Sequence, residues 1–119
     1  MNNLEERTLI FSKDIISLVK ILDKNRINFR LSDQLIRSAT SVGANYREAN
    51  ETETDKDFLN RVRISKKECK ETIYWLNLLV HNNPSLGLEI NKFIDESEQL
   101  MKILATIYRN KVQKMELRN

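Results

Sequence analysis

Apolar residues recur along most of the chain at spacings of three, four and seven, and this period divides it into four amphipathic segments. Leu4, Phe11, Ile15, Leu18, Val19 and Leu22 line one face of a first helix, predicted over about residues 4–24. Asn3 is placed to cap it, with Glu6 three residues on to complete a capping box. The stretch NRINFRLS then breaks the period and reads as a connection, with Ile27, Phe29 and Leu31 packing down onto the core. A second helix is predicted over about residues 32–51, with Ser32 as its N-cap. Its Leu35, Ala39, Val42, Tyr46 and Ala49 are spaced four, three, four and three, a seam for a partner helix.

The third segment, predicted over about residues 55–80, has Thr54 as cap and Asp55 and Asp57 near the positive end of the helix dipole. Its stripe is Phe58, Val62, Ser65, Cys69, Thr72, Leu76 and Leu79, reinforced by Leu59, Ile73 and Val80. His81-Asn82-Asn83-Pro84 ends it, because proline cannot continue a helix and restricts the residue before it. A fourth helix begins between Pro84 and Leu88 and runs to about 115; Ile94, Met101, Leu104, Tyr108, Val112 and Met115 mark its face, with Phe93, Leu100 and Ile107 beside them. Four such stripes on short connections can be buried only against one another. The expected fold is therefore all-α, an up-down-up-down four-helix bundle, with residues 1–119 as a single domain. The scarcity of helix breakers, two Gly and one Pro, agrees with long helices.

One stretch needs a separate account: SVGANYREANETET, residues 41–54. Gly43 lies inside the helical pattern, where it costs on the order of 1 kcal/mol relative to Ala. Ser38, Ser41 and Ala44 stand around it, so the small residues predict close approach by a neighbouring backbone. A phosphate-gripping loop would instead place its glycines ahead of a helix start.

Charge narrows the class further. Charged residues make up 31% of the chain, with a net charge of +3, which permits a polyanionic partner without demanding one. No apolar run approaches the ~20 residues of a membrane span, and Glu5 and Glu6 stand where a secretory signal would carry positive charge. The one cysteine has no partner for an internal disulfide. A cytoplasmic protein that does not enter membranes is expected.

No catalytic centre is legible. Bundle metal sites draw on Glu-x-x-His pairs, and the only histidine, His81, follows Leu78 at that spacing, so neither a metal nor another cofactor is expected. Cys69 falls on an apolar stripe and reads as a buried structural thiol. A ribonuclease of the kind that sets an arginine five to seven residues before a histidine is not supported, since the nearest preceding arginine is Arg63. The chain is expected not to be an enzyme.

The basic residues are better ordered. Arg63, Lys66, Lys67 and Lys70 share one face of the third helix away from its apolar stripe, and Arg61 stands nearby. Arg109 and Lys111, with Lys102, Lys114 and Arg118, add a second set on the fourth helix. Such stripes can track RNA or DNA by charge alone. The plainer alternative is a solvated face on a protein-interaction scaffold. Acidic residues gather apart from them, at Glu48, Glu51, Glu53, Asp55 and Asp57. Asn45, Arg47 and Glu48 are expected to face the third helix or a neighbouring subunit, with Arg47 paired to Glu68 or Glu71. Tyr46 completes the seam, while Trp75, off the centre of its stripe and next to Tyr74, suits a core edge or a subunit contact.

The run QLIRSATSVGANYREANETETDKDFLNRVRISKKECKETIYWLNLL resembles the bacterial four-helix-bundle proteins related to those encoded in intervening sequences of 23S ribosomal RNA genes, also labelled S23 ribosomal proteins. The pattern falls on Gln34, Leu35, Arg37, Ser38, Ala39, Ser41, Val42, Asn45 and Glu48, then Asp57, Phe58, Lys67, Glu68, Glu71, Thr72, Tyr74, Trp75 and Leu76. The resemblance implies a homopentameric ring. It also implies, by way of a branch that assists reverse transcriptases of diversity-generating retroelements, contacts to nucleic acid and to a reverse transcriptase or ribosomal partner. Where this chain has Tyr46-Arg47-Glu48-Ala49, the commoner family form carries small apolar residues and Glu-Gly.

Overall fold

The computed structural model describes residues 3–118 and contains four α-helices. They are α1 (Asn3–Ile21), α2 (Arg26–Ala49), α3 (Asp55–Asn82) and α4 (Gly87–Leu117), with a single 3₁₀ turn at Pro84–Leu86. Each helix packs on its neighbours in sequence, and α4 closes back on α1 more lightly; α1 and α3, like α2 and α4, lie across the diagonals. The result is the expected up-down-up-down bundle, drawn out to 54 × 21 × 19 Å.

The core follows the predicted stripes. Phe11, Ile15 and Leu18 come from α1, with Leu22 just past its end; Leu35, Ala39, Val42, Tyr46 and Ala49 from α2; Val62, Cys69, Leu76 and Leu79 from α3. On α4 the buried line is Ile90, Ser97, Leu100 and Leu104, so Leu100 stands at its centre and Ile94, Met101 and Tyr108 flank it. Thr54 caps α3, its side chain accepting from the Asp57 amide at 3.1 Å. Asn3 is already helical and exposed, so the capping box expected from it is not formed there.

Two expectations around residues 25–32 are corrected. The stretch read as a connection is the N-cap and about the first two turns of α2, which starts at Arg26 with Asn25, not Ser32, as N-cap. The Asn25 side chain accepts from the Asn28 amide at 2.9 Å. Ile27 and Phe29 are more than half exposed; of the three residues expected to pack only Leu31 does, partly buried against the core, and the fully buried positions are Asn28 and Ser32. The seam therefore begins two members earlier, at residues 28 and 32, and those two members are polar.

Gly43 serves the close approach predicted for it. A Cβ at that position would lie 2.9 Å from Thr8 Oγ1 and 3.0 Å from Thr8 Cβ, so α1 rests directly on the α2 backbone. Between α2 and α3 small polar residues play the same part: Ser65 donates to the Val42 carbonyl at 2.6 Å, and Thr72 donates to Ser38 Oγ at 2.9 Å.

Candidate nucleic-acid interface

The small buried hydroxyls set the register of α2 against α3 and so decide which charges meet at the edge of that interface. Arg37, the residue before Ser38, reaches across to two carboxylates. Its Nη1 donates to Glu68 Oε2 at 3.2 Å, and its Nη2 donates to Glu71 Oε1. The expected partner of these carboxylates, Arg47, lies elsewhere: its Nε is 3.4 Å from Glu5 Oε1 on α1. Register explains the exchange. Counted outward from the turn near residue 52, Arg37 lies as far back as Glu68 lies forward, whereas Arg47 falls level with Phe58. That count was available in the sequence and is the signal that would have found Arg37.

The two carboxylates are held differently. Burial pushes the Glu68 carboxyl above its ordinary range, the Glu71 charge adds to this, and Arg37 opposes both. Glu71, more open, is held below that range chiefly by its hydrogen bond to Arg37. The indole N–H of Trp75, one turn along α3, is withdrawn from solvent without a partner at hydrogen-bonding geometry, yet is close enough to Glu71 to lower it further. Tyr74 packs edge-on against Trp75, ring centroids 5.1 Å apart at 79°. Tyr74 is 58% exposed.

The remaining residues of interest divide into committed and open. Arg61 donates to Asn45 Oδ1 at 3.1 Å, while Asn45 Nδ2 donates to the Ser41 carbonyl, so Asn45 does face α3. Tyr46 is buried in the seam, and Glu48 is exposed. Lys111 pairs with Asp55 at 2.9 Å and sits over the Phe58 ring, 5.1 Å from its centroid. Arg118 reaches the same Asp55 at 2.8 Å, and the two cations hold that carboxyl below its usual range. Arg109 is exposed and only brushes Thr106.

Arg63, Lys66, Lys67 and Lys70 are all exposed along the outer face of α3. Arg63 donates to Asn60 Oδ1, a turn away. Among the described residues no carboxylate forms an ion pair with any of the four. The basic stripe of α3 is thus open to a partner, whereas part of the α4 set is tied to Asp55.

Cys69 and His81, the residues weighed for chemistry, lie away from this edge of the α2–α3 interface. Burial pushes the Cys69 thiol up to about 12, and its sulfur sits in the core. His81 is exposed in the last turn of α3, about 27 Å along the helix axis from Arg63. Among the described residues no cluster of side chains could hold a metal ion, and no helix is long and apolar enough to cross a membrane.

Comparison with known proteins places this geometry in a family. The profile of the family described as 23S rRNA-intervening sequence protein matches residues 3–106. A crystal structure of a protein of unknown function from the S23 ribosomal protein family of Bacteroides thetaiotaomicron is similar over 88% of this chain and 97% of its own. The identity is 34% and the TM-score 0.81. No curated protein matches the chain. Nothing in these relatives points to catalysis.

Proposed function

The chain belongs to the 23S rRNA-intervening sequence protein family, and from that premise we propose that it is a non-enzymatic, homo-oligomeric protein that binds RNA or DNA through its basic helix faces. One observation carries the proposal. Arg63, Lys66, Lys67 and Lys70 of α3 point outward with no ion-pair partner among the described residues, while Arg7, Arg37, Lys111 and Arg118 are engaged by carboxylates of the same chain. Four positive charges on one helix face supply the sequence-independent attraction to phosphate that dominates non-specific binding. The leading residues are Arg63, Lys66, Lys67 and Lys70, joined by Arg61 and Arg109.

Self-association is favoured by apolar surface the monomer leaves open. Ile10 and Ile16 on α1 are 49% and 40% exposed. α1 is also short, 19 residues against 31 in α4. Its Arg7 meets α4 at Glu96 and Gln99, so the last turns of α4 run on past it. Ile107, Tyr108, Val112 and Met115 there are only half-buried, a surface suited to another subunit. The family resemblance suggests a pentamer for that assembly, whose ring would repeat each basic stripe five times. A reverse transcriptase or a ribosomal component is the protein partner this reading allows.

Retention of generic RNA on a filter at about 50 mM and 200 mM salt tests the proposal. Binding at the lower salt that falls steeply at the higher supports it. Negligible retention at both leaves a protein-interaction scaffold, in which the lysines serve solubility. Light scattering reads the subunit number directly against the 14.1 kDa chain.

A further inference from the structure

The α3 stripe does not end in lysines. Continuing Arg63, Lys66, Lys67 and Lys70 by one more turn along the same outer face reaches Tyr74, an aromatic ring that is 58% exposed. The other two tyrosines are buried or half-buried, so Tyr74 alone presents its ring to solvent. We propose that Tyr74 is a stacking platform for an unpaired base, and that the ligand of the α3 stripe is a single-stranded nucleic acid. This inference rests on the nucleic-acid reading above and adds to it the class of strand.

Three features carry it. The first is spacing: Arg63, Lys67, Lys70 and Tyr74 follow one another at four, three and four residues, about 4.5–6 Å along the axis, with Lys66 beside them, so a strand that follows the cations is delivered to the ring. The second is preorganisation. Tyr74 is braced edge-on by Trp75, itself partly buried in the bundle, so stacking costs less side-chain entropy than it would on a free ring. The third is local charge. Tyr74 lines an open cleft with Lys67 and Lys70, and the two carboxylates of that cleft, Glu68 and Glu71, are both engaged by Arg37. Arg37, Lys67 and Lys70 against Glu68 and Glu71 leave the cleft a net charge of +1, so a phosphate still meets positive charge there.

A duplex cannot use the ring. Its bases are paired and stacked, and a side chain on a convex helix face meets only the phosphates and groove edges. Unpaired bases offer a π-face whatever their identity, and such stacking is sequence-tolerant.

The full chain and its Tyr74→Ala and Tyr74→Phe variants are titrated against labelled oligo(dT) of about 12 nucleotides, and against a duplex of the same length, at low salt. A Lys67→Gln/Lys70→Gln variant is the charge control. Tyr74→Ala is expected to weaken single-strand binding by about five- to hundredfold and leave duplex binding unchanged. Tyr74→Phe should bind as the parent does. Emission from Trp75, the sole tryptophan, should be quenched by the single strand in the parent and not in Tyr74→Ala. Equal binding of Tyr74→Ala and parent, with both strands weakened by the lysine control, overturns the stacking site and leaves the basic-face reading standing. Loss of oligomer mass in Tyr74→Ala, with no change in strand preference, overturns it in favour of a subunit contact. Binding of neither strand by the parent sinks both readings together.

Discussion

The hydroxyl of Thr8 occupies the space that a methyl group on Gly43 would need. A Cβ there would lie 2.9 Å from Thr8 Oγ1 and 3.0 Å from Thr8 Cβ. Thr8 cannot easily yield. It is buried, β-branched, and its hydroxyl bonds back to the Leu4 and Glu5 carbonyls at 2.9 and 3.0 Å. The contact fixes how closely α1 approaches α2, and with it the Arg47–Glu5 pair at the rim.

Gly43→Ala should therefore destabilise despite the better helix propensity of alanine. Overpacking costs about 1–3 kcal/mol, against a gain of about 1 kcal/mol from removing a mid-helix glycine. A net loss of about 1 kcal/mol is expected in denaturant unfolding. A Thr8→Ala background should reduce that loss by relieving the hydroxyl contact, a coupling that a double-mutant cycle reads directly. A stabilising Gly43→Ala would contradict the geometry.

Arg37 should matter more at neutral than at acid pH. Glu71 has its carboxyl lowered in the folded state, so it contributes stability above the ordinary carboxylate range and loses it as pH falls through the folded value. Glu68 has its carboxyl raised, so its ionisation works against folding as pH rises, and Arg37 limits that cost. Arg37→Met removes both benefits. It should cost about 1–2 kcal/mol at pH 7, a modest figure because the guanidinium is half exposed. The gap from the parent should narrow on titration from about pH 6 to pH 3. A pH-independent difference would assign Arg37 a packing role only.

The apolar period was enough to find four helices, the Thr54 cap and most of the core, because burial of those stripes depends on local spacing alone. It failed where buried residues are polar. Residues 28, 32, 35, 39, 42, 46 and 49 of α2 keep one spacing throughout, yet the first two are Asn and Ser, so the seam seemed to begin at Leu35. In the candidate site, the exposed stripe of α3 was legible from residue type and helical period. The partner of Glu68 and Glu71 needed a further step, the count outward from the turn near residue 52, because pairing across two helices depends on their relative register. That register is fixed by small contacts such as Ser65 to Val42 and Thr72 to Ser38.

Asn28 is the cost of reading polarity as exposure. Its Nδ2 donates to the Asp23 carbonyl at 2.8 Å and to Asn83 Oδ1 at 2.9 Å. Its Oδ1 accepts from Asn82 Nδ2 at 2.9 Å and from Asn83 Nδ2 at 2.8 Å. One buried amide thus ties the end of α1, the start of α2 and the end of α3 together. Asn28→Leu, close in size, should cost about 2–4 kcal/mol, since it leaves the buried Asn83 Oδ1 without its donor and removes the bonds to Asn82 and the Asp23 carbonyl. Hydrogen exchange should locate the loss, with amides near residues 23–28 and 79–84 losing protection first. Unchanged protection there would show that water takes over the network without penalty.

Cys69 provides a readout of global opening. Its sulfur is buried in the core, and with the thiol pushed up to about 12 almost none is thiolate near pH 8. Native protein should resist iodoacetamide, and the small reaction that does occur should proceed at a rate set by the open population. Labelling should therefore accelerate in Gly43→Ala and Asn28→Leu in proportion to their loss of stability wherever opening is global. Rapid alkylation of the native parent, insensitive to either substitution, would mean that the α3–α4 interface opens locally at Cys69 and that this stretch of core is looser than its packing indicates.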